Sequence, residues 1–218
     1  MRATAVFFLS FPTLLLAAHP LLSGTIWKHL VFLDEFNGPA GSRPNASKWI
    51  IDTGTQYSGS NAPAQWGTGE IQSYTTNPAN VQLSGQGELV ITALKDANGA
   101  WTSGRIETVR SNFVCAVNGK MRIEARIMMP DVSGNQALGY WPAFWMLGQA
   151  YRSESGTGAA NRVLGCRRML TRISTDDYTN WPGIGEFDIM ENVNGLNSVS
   201  SGLHCVSPAG NVLCTSNH

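Results

Sequence analysis

The sequence predicts an all-β chain of antiparallel strands, on three observations. Apolar runs alternate at period two, 23 glycines among 218 residues supply many turns, and no long helical period stands out from residue 27 onward. Two packed sheets are one arrangement that such strands can take. A chain of this length buries one good core. Its 15 basic and 15 acidic residues cancel, which argues against an electrostatic partner such as nucleic acid. Seven tryptophans point to an aromatic-rich surface.

Taken in chain order, the first segment reads as a leader. Arg2 supplies a small positive region, residues 3–18 are apolar, and small residues follow at Ala17, Ala18 and Ser23. The expectation is a signal peptide over residues 1–23 and a secreted product, extracellular or in a cell wall. Leu16 would stand third before a cut after Ala18, so the cleavage point stays open. Pro12, His19 and Pro20 interrupt the run, which is short of the roughly 20 apolar residues of a membrane span, so no stable anchor is expected. Asn45-Ala46-Ser47 is a glycosylation acceptor of the kind found on secreted surface loops.

Residues 89–94 are apolar at most positions, as a strand covered on both faces should be. In residues 120–129, Met121, Ile123, Ala125, Ile127 and Met129 alternate with Arg122, Glu124 and Arg126 before Pro130, predicting a strand with one buried face. Residues 141–147 form another apolar run, with Pro142 near its start.

The most informative stretch is Gly185-Glu186-Phe187-Asp188-Ile189-Met190-Glu191-Asn192. In a strand Glu186 and Asp188 share one face, while Phe187 and Ile189 turn to the other and into a core. Glu191 would fall on the wrong face of a regular strand. A β-bulge near Met190 returns it to the acidic side. Strands disfavour acids, and like charges on one face repel, so the cluster needs a reason. Spacing alone is weak evidence, since a chain of this composition offers roughly 0.07 chance matches. A charged strand face or a hard-cation site is the bland reading. Retaining glycoside hydrolysis is the sharp one: one carboxylate attacks the anomeric carbon while a protonated second acid about 5–5.5 Å away serves the leaving oxygen. Crowding raises the pKa of the acid that must stay protonated, and a middle Asp can orient the nucleophile.

Other segments narrow the choice. They are Phe32-Leu33-Asp34-Glu35-Phe36, Lys48-Trp49, Trp66-Gly67-Thr68-Gly69-Glu70-Ile71-Gln72-Ser73-Tyr74-Thr75, Gly87-Glu88-Leu89-Val90-Ile91-Thr92-Ala93 and Thr102-Ser103-Gly104-Arg105-Ile106. Gly119-Lys120-Met121-Arg122-Ile123-Glu124-Ala125-Arg126 and Trp141-Pro142-Ala143-Phe144-Trp145-Met146-Leu147 follow. With these and the acid motif, the chain resembles the family-16 glycoside hydrolases, in their laminarinase-like endo-β-1,3(4)-glucanase branch. Order and spacing fit over residues 27–149 and 178–205. The resemblance implies a concanavalin A-like jelly-roll sandwich with a concave cleft, and retaining cleavage of internal β-1,3 or mixed β-1,3/1,4 bonds. It makes Glu186 the nucleophile, Asp188 its assisting acid and Glu191 the general acid/base. A β-glucan is the implied partner, and a monomer is expected. A structural calcium ion occurs in the family, but no residues here support one and no cofactor is expected.

In that cleft Trp141, Trp145 and Trp181 are candidate sugar platforms, because an indole face suits pyranose C–H groups. Core packing is the competing role, and for Trp145 the favoured one. Arg105 could bond sugar hydroxyls, Glu70 and Tyr74 could line the sugar-binding end, and His204 matches a histidine common at that place in the family. Ordinary structural roles compete for each.

Two departures from the family stand out. Residues 152–175 carry Arg152, Arg162, Arg167, Arg168 and Arg172, a third of the basic residues, and read as an atypical insertion or translated intron. Only 27 residues follow Glu191, so the catalytic domain, residues 24–218, is expected to be incomplete at its C-terminus. Cys115, Cys166, Cys205 and Cys214 allow three full pairings, with Cys205–Cys214 preferred and Cys115 taken as a small core residue. No dinucleotide loop, phosphate loop, serine elbow or histidine metal spacing occurs. A glucan transglycosylase and a non-catalytic glycan-binding relic remain as alternatives.

Overall fold

The computed structural model describes residues 3–8, 29–58, 61–115, 118–148 and 181–205, with the backbone alone for 3–8. The predicted insertion at 152–175 and Cys166 and Cys214 lie outside these residues. The described chain is all-β. Its strands are β1 (Ala3–Phe8), β2 (Trp49–Ile51), β3 (Ser73–Tyr74), β4 (Val81–Leu83), β5 (Glu88–Lys95), β6 (Trp101–Ser103), β7 (Ile106–Thr108), β8 (Arg126–Met128), β9 (Ala143–Leu147), β10 (Glu186–Glu191) and β11 (Ser200–His204). Two short 3-10 turns, Ala64–Gly67 and Gly134–Gln136, are the only helical elements among the described residues. No described helix is long and apolar enough to cross a membrane.

The strands form three sheets. The largest runs β3-β6-β5-β1-β8 with β4 also on β5, a second runs β11-β10-β9, and β2 pairs with β7. Period two works as expected in β4, where Val81 and Leu83 are buried and Gln82 between them is not. These two join Phe36 and Leu89 in the core, with Trp49, Ile51, Ile91 and Ile106 packed around it. Asn80 is buried at the entry to β4, and its side-chain amide donates to the Thr92 carbonyl at 2.9 Å and the Thr102 hydroxyl at 3.1 Å, tying β4 to β5 and β6. Gly104 is forced by this packing. A Cβ there would lie 2.1 Å from Val81 Cγ2, closer than atoms can approach.

The strand expected at 89–94 is β5, with Leu89 buried on one face and Thr92 on the other. The run at 141–147 gives β9, starting after Pro142. The strand expected over 120–129 is shorter: only Arg126–Met128 is extended, and Ile123 is 37% exposed. An alternating pattern holds a strand only where a neighbour completes its ladder, and residues 120–125 pair with no described strand. Cys115 is half-buried rather than a core residue. Cys205 is disulfide-bonded. Asn45 is exposed in a turn, as its acceptor triplet suggested. The segment read as a leader contributes β1 to the largest sheet.

Candidate active site

The three acids lie on β10, the central strand of its sheet, bonded on both edges and so held in place. The bulge is where the sequence requires it. Against β9, Asp188 opposes Trp145 and Glu191 opposes Ala143, so three steps on β10 match two on its neighbour. The extra residue restores Glu191 to the face of Asp188. β11 registers the same shift between Asp188 and Glu191, and within it the Ile189 carbonyl accepts the Ser201 hydroxyl at 2.8 Å. Phe187 departs from expectation. It is 40% exposed rather than in a core, although Ile189 on the same face is half-buried.

Each acid has a partner. Trp181 Nε1 donates to Glu186 Oε2 at 2.8 Å, and Trp141 Nε1 donates to Glu191 Oε1 at 2.7 Å. Asp188, 3% exposed, lies 3.0 Å from His204 Nε2 and shares a hydrogen bond with Glu186. Burial pushes the pKa of all three carboxyls up. Opposing it, the Trp181 N–H favours ionised Glu186, the Trp141 N–H favours ionised Glu191, and His204 favours ionised Asp188. Mutual repulsion reinforces the rise, since Asp188 works against ionisation of both glutamates.

Of the remaining candidates, His204 stands opposite Glu186 on β11 and packs by Trp181, with ring centroids 5.6 Å apart. Trp141 and Trp181 are exposed beside the acids, where both an N–H and a ring face are presented. Trp145 is half-buried opposite Asp188 and carries the Arg105 guanidinium 5.0 Å from its ring centroid. Arg105, a candidate donor to sugar hydroxyls, is engaged within the protein. Its Nε bonds Asp52 at 3.2 Å, its Nη2 bonds the Tyr57 hydroxyl at 3.0 Å, and it stacks 4.4 Å from the Trp66 ring centroid. Burial pulls its pKa down, but Tyr57 and Asp52 outweigh this and hold the cation. Glu70 is likewise engaged, accepting from Thr68, Gln72 and Tyr74. Tyr74 packs on Trp66, and Trp66 on Tyr57, so Glu70 and Arg105 belong to one aromatic-polar block that ends on Trp145.

Sequence reasoning missed Asp52, Tyr57 and Gly202. Asp52 and Tyr57 carry no local signal, because their pairing with Arg105 spans about fifty residues. Gly202 sits opposite Asp188 and leaves the room in which Asp188 and His204 meet.

Among the described residues, Glu186, Asp188 and His204 form the one grouping with metal-ligand spacing, their donor atoms lying within 4.8 Å of one another. Two carboxylates and an imidazole do not suit calcium, which takes about six to eight oxygen ligands.

No protein-family model matches the chain. It is 29% identical over 188 residues to glucan endo-1,3-beta-glucosidase A1 of Niallia circulans, covering 81% of this chain and 22% of that protein. It is 26% identical over 159 residues to a glucan endo-1,3-beta-glucosidase of Cryptopygus antarcticus, covering 66% of this chain and 46% of that one. A solved endo-1,3-beta-glucanase from Streptomyces sioyaensis superposes with a TM-score of 0.69 at 44% identity, covering 86% of this chain and 60% of that structure. The chain thus spans less than two thirds of each relative's length. At that identity and TM-score the Streptomyces structure shows the fold, and the chain has the all-β jelly-roll architecture of β-glucanases.

Proposed function

We propose that this protein is a retaining endo-β-glucanase of glycoside hydrolase family 16, secreted and acting as a monomer, that cleaves internal β-1,3 or mixed β-1,3/1,4 bonds. The observation that carries the reading is the bulged central strand, which sets Asp188 between two glutamates that each receive an indole N–H. The names of the relatives support the substrate class.

In this mechanism Glu186 is ionised and attacks the anomeric carbon as Glu191 gives its proton to the departing glycosidic oxygen. The products of this step are a glycosyl ester on Glu186 and a shortened glucan with a free hydroxyl. Glu191, now a carboxylate, takes a proton from water, and the hydroxide attacks the same carbon and releases Glu186. Trp181 supports the first role, since its N–H stabilises negative charge on Glu186. Burial first, and then the charge of ionised Asp188, raise the Glu191 pKa and favour the protonated form that an acid catalyst needs. Trp141 and Trp181 offer their exposed rings to the sugars on either side.

The test is the release of reducing ends from laminarin by residues 1–218, with Glu186→Gln as control. Turnover that the substitution abolishes supports the reading. A soluble, folded wild type that binds laminarin without turnover overturns it in favour of a binding protein.

A further inference from the structure

Strand β1 lies within the apolar stretch that reads as a leader, yet it is an inner strand of the largest sheet. Along one edge β5 is bonded by β4, with Val81 opposite Ile91 and Leu83 opposite Leu89. Along the other it is bonded by β1, from Ala3 opposite Ala93 to Phe8 opposite Glu88. β1 then bonds β8, with Val6 opposite Met128 and Phe8 opposite Arg126. No other described strand pairs with β8.

Without β1, β5 and β8 would face each other across a gap of about 9.5 Å, twice the normal strand spacing. Each would present a row of unpaired N–H and C=O groups, too far apart to bond each other and correctly spaced to bond a strand laid between them. The sequence Ala3-Thr4-Ala5-Val6-Phe7-Phe8 suits that place. It is uncharged, contains no glycine or proline, and is rich in β-branched and aromatic residues, as an inner strand requires.

We propose that the sheet contains a strand-accepting slot between β5 and β8, and that Ala3–Phe8 fills it in the uncleaved chain. Release of residues 1–23 then leaves β5 and β8 with facing open edges. Leader removal and folding are thereby coupled, since the processed protein must retain the strand or lose the order of β5 and β8. Recognition is by backbone pairing in a fixed antiparallel register, as in strand addition to a sheet edge.

Two measurements test this, neither of which reads glucan cleavage, so the outcome is independent of the proposed activity. In residues 1–218, the pair Val6→Cys with Met128→Cys joins two register partners, whereas Val6→Cys with Ile127→Cys joins positions one residue out of register. Under mild oxidation, peptide mapping is expected to show the first crosslink forming at least about tenfold faster than the second. Equal rates overturn the proposal. Hydrogen exchange then compares residues 1–218 with 24–218. Amides of Glu88–Lys95 should lose protection in the shorter chain and regain it when a synthetic peptide of residues 2–9 is added, but not with a peptide of scrambled order. Equal protection in the two chains, or a loss that the peptide does not restore, also overturns it.

Discussion

Gly202 lies directly across the β10–β11 ladder from Asp188, and a methyl group at Gly202 would stand 2.9 Å from Asp188 Oδ2 and 3.3 Å from His204 Nε2. The missing side chain is what lets the aspartate and the imidazole approach within 3.0 Å between the two glutamates. Gly202→Ala is therefore expected to displace the Asp188 carboxylate while leaving the ladder intact. The laminarin kcat/KM should fall about tenfold or more with an unchanged circular dichroism spectrum. Wild-type kinetics in the alanine variant would show that the contact has no part in turnover.

Removing either glutamate separates chemistry from stability. Glu186→Gln and Glu191→Gln should each lower kcat by roughly a thousandfold or more. Both carboxyls have folded pKa values raised by burial above the ordinary 4.5. Stability is then greatest below that value and is lost as pH rises through the folded pKa, because ionisation costs more in the folded state than in the unfolded one. Glutamine carries no charge to bury. The variants should melt above wild type at pH 7, and the difference should close below about pH 4.5. Thermal melts across pH check the sign, which a lower melting temperature at pH 7 would contradict.

His204 opposes the effect of burial on Asp188 by favouring its ionised form. With His204→Ala, the Asp188 pKa should climb further, moving the acidic limb of the kcat/KM profile to higher pH and reducing activity by about tenfold or more. An unmoved acidic limb would assign His204 a packing role against Trp181 alone.

Arg105 is expected to act on stability more than on sugar binding. Arg105→Met would leave Asp52 buried without its cation, at a cost of about 3 kcal/mol. For a domain of this size the melting temperature should fall by roughly 10 °C. Arg105→Lys should recover little, since an ammonium cannot reproduce both polar bonds and the stacking on Trp66 and Trp145. Calorimetry with urea melts decides this; unchanged stability with a raised KM would return Arg105 to a direct sugar-binding role.

Local pattern carried much of this molecule. Glu186 and Asp188 two residues apart share a strand face for any regular strand, and Glu191 at an odd offset required a bulge, so strand, bulge and acid face were legible before any neighbour was known. The alternation at Val81 and Leu83 and the apolar run of β5 were legible for the same reason, because side-chain direction follows from backbone geometry alone. Pairing is different, since it depends on which distant segment completes a ladder. That decided that residues 120–125 do not continue β8, that Phe187 is exposed, and that Ala3–Phe8 is placed in a sheet despite its leader-like composition. It also decided that Arg105 meets Asp52 and Tyr57 and that Gly202 clears the space beside Asp188. The sequence by itself determined which residues could be chemical and which way they point along their own strand; the tertiary structure alone decided their partners, because contacts across dozens of residues leave no period in the chain.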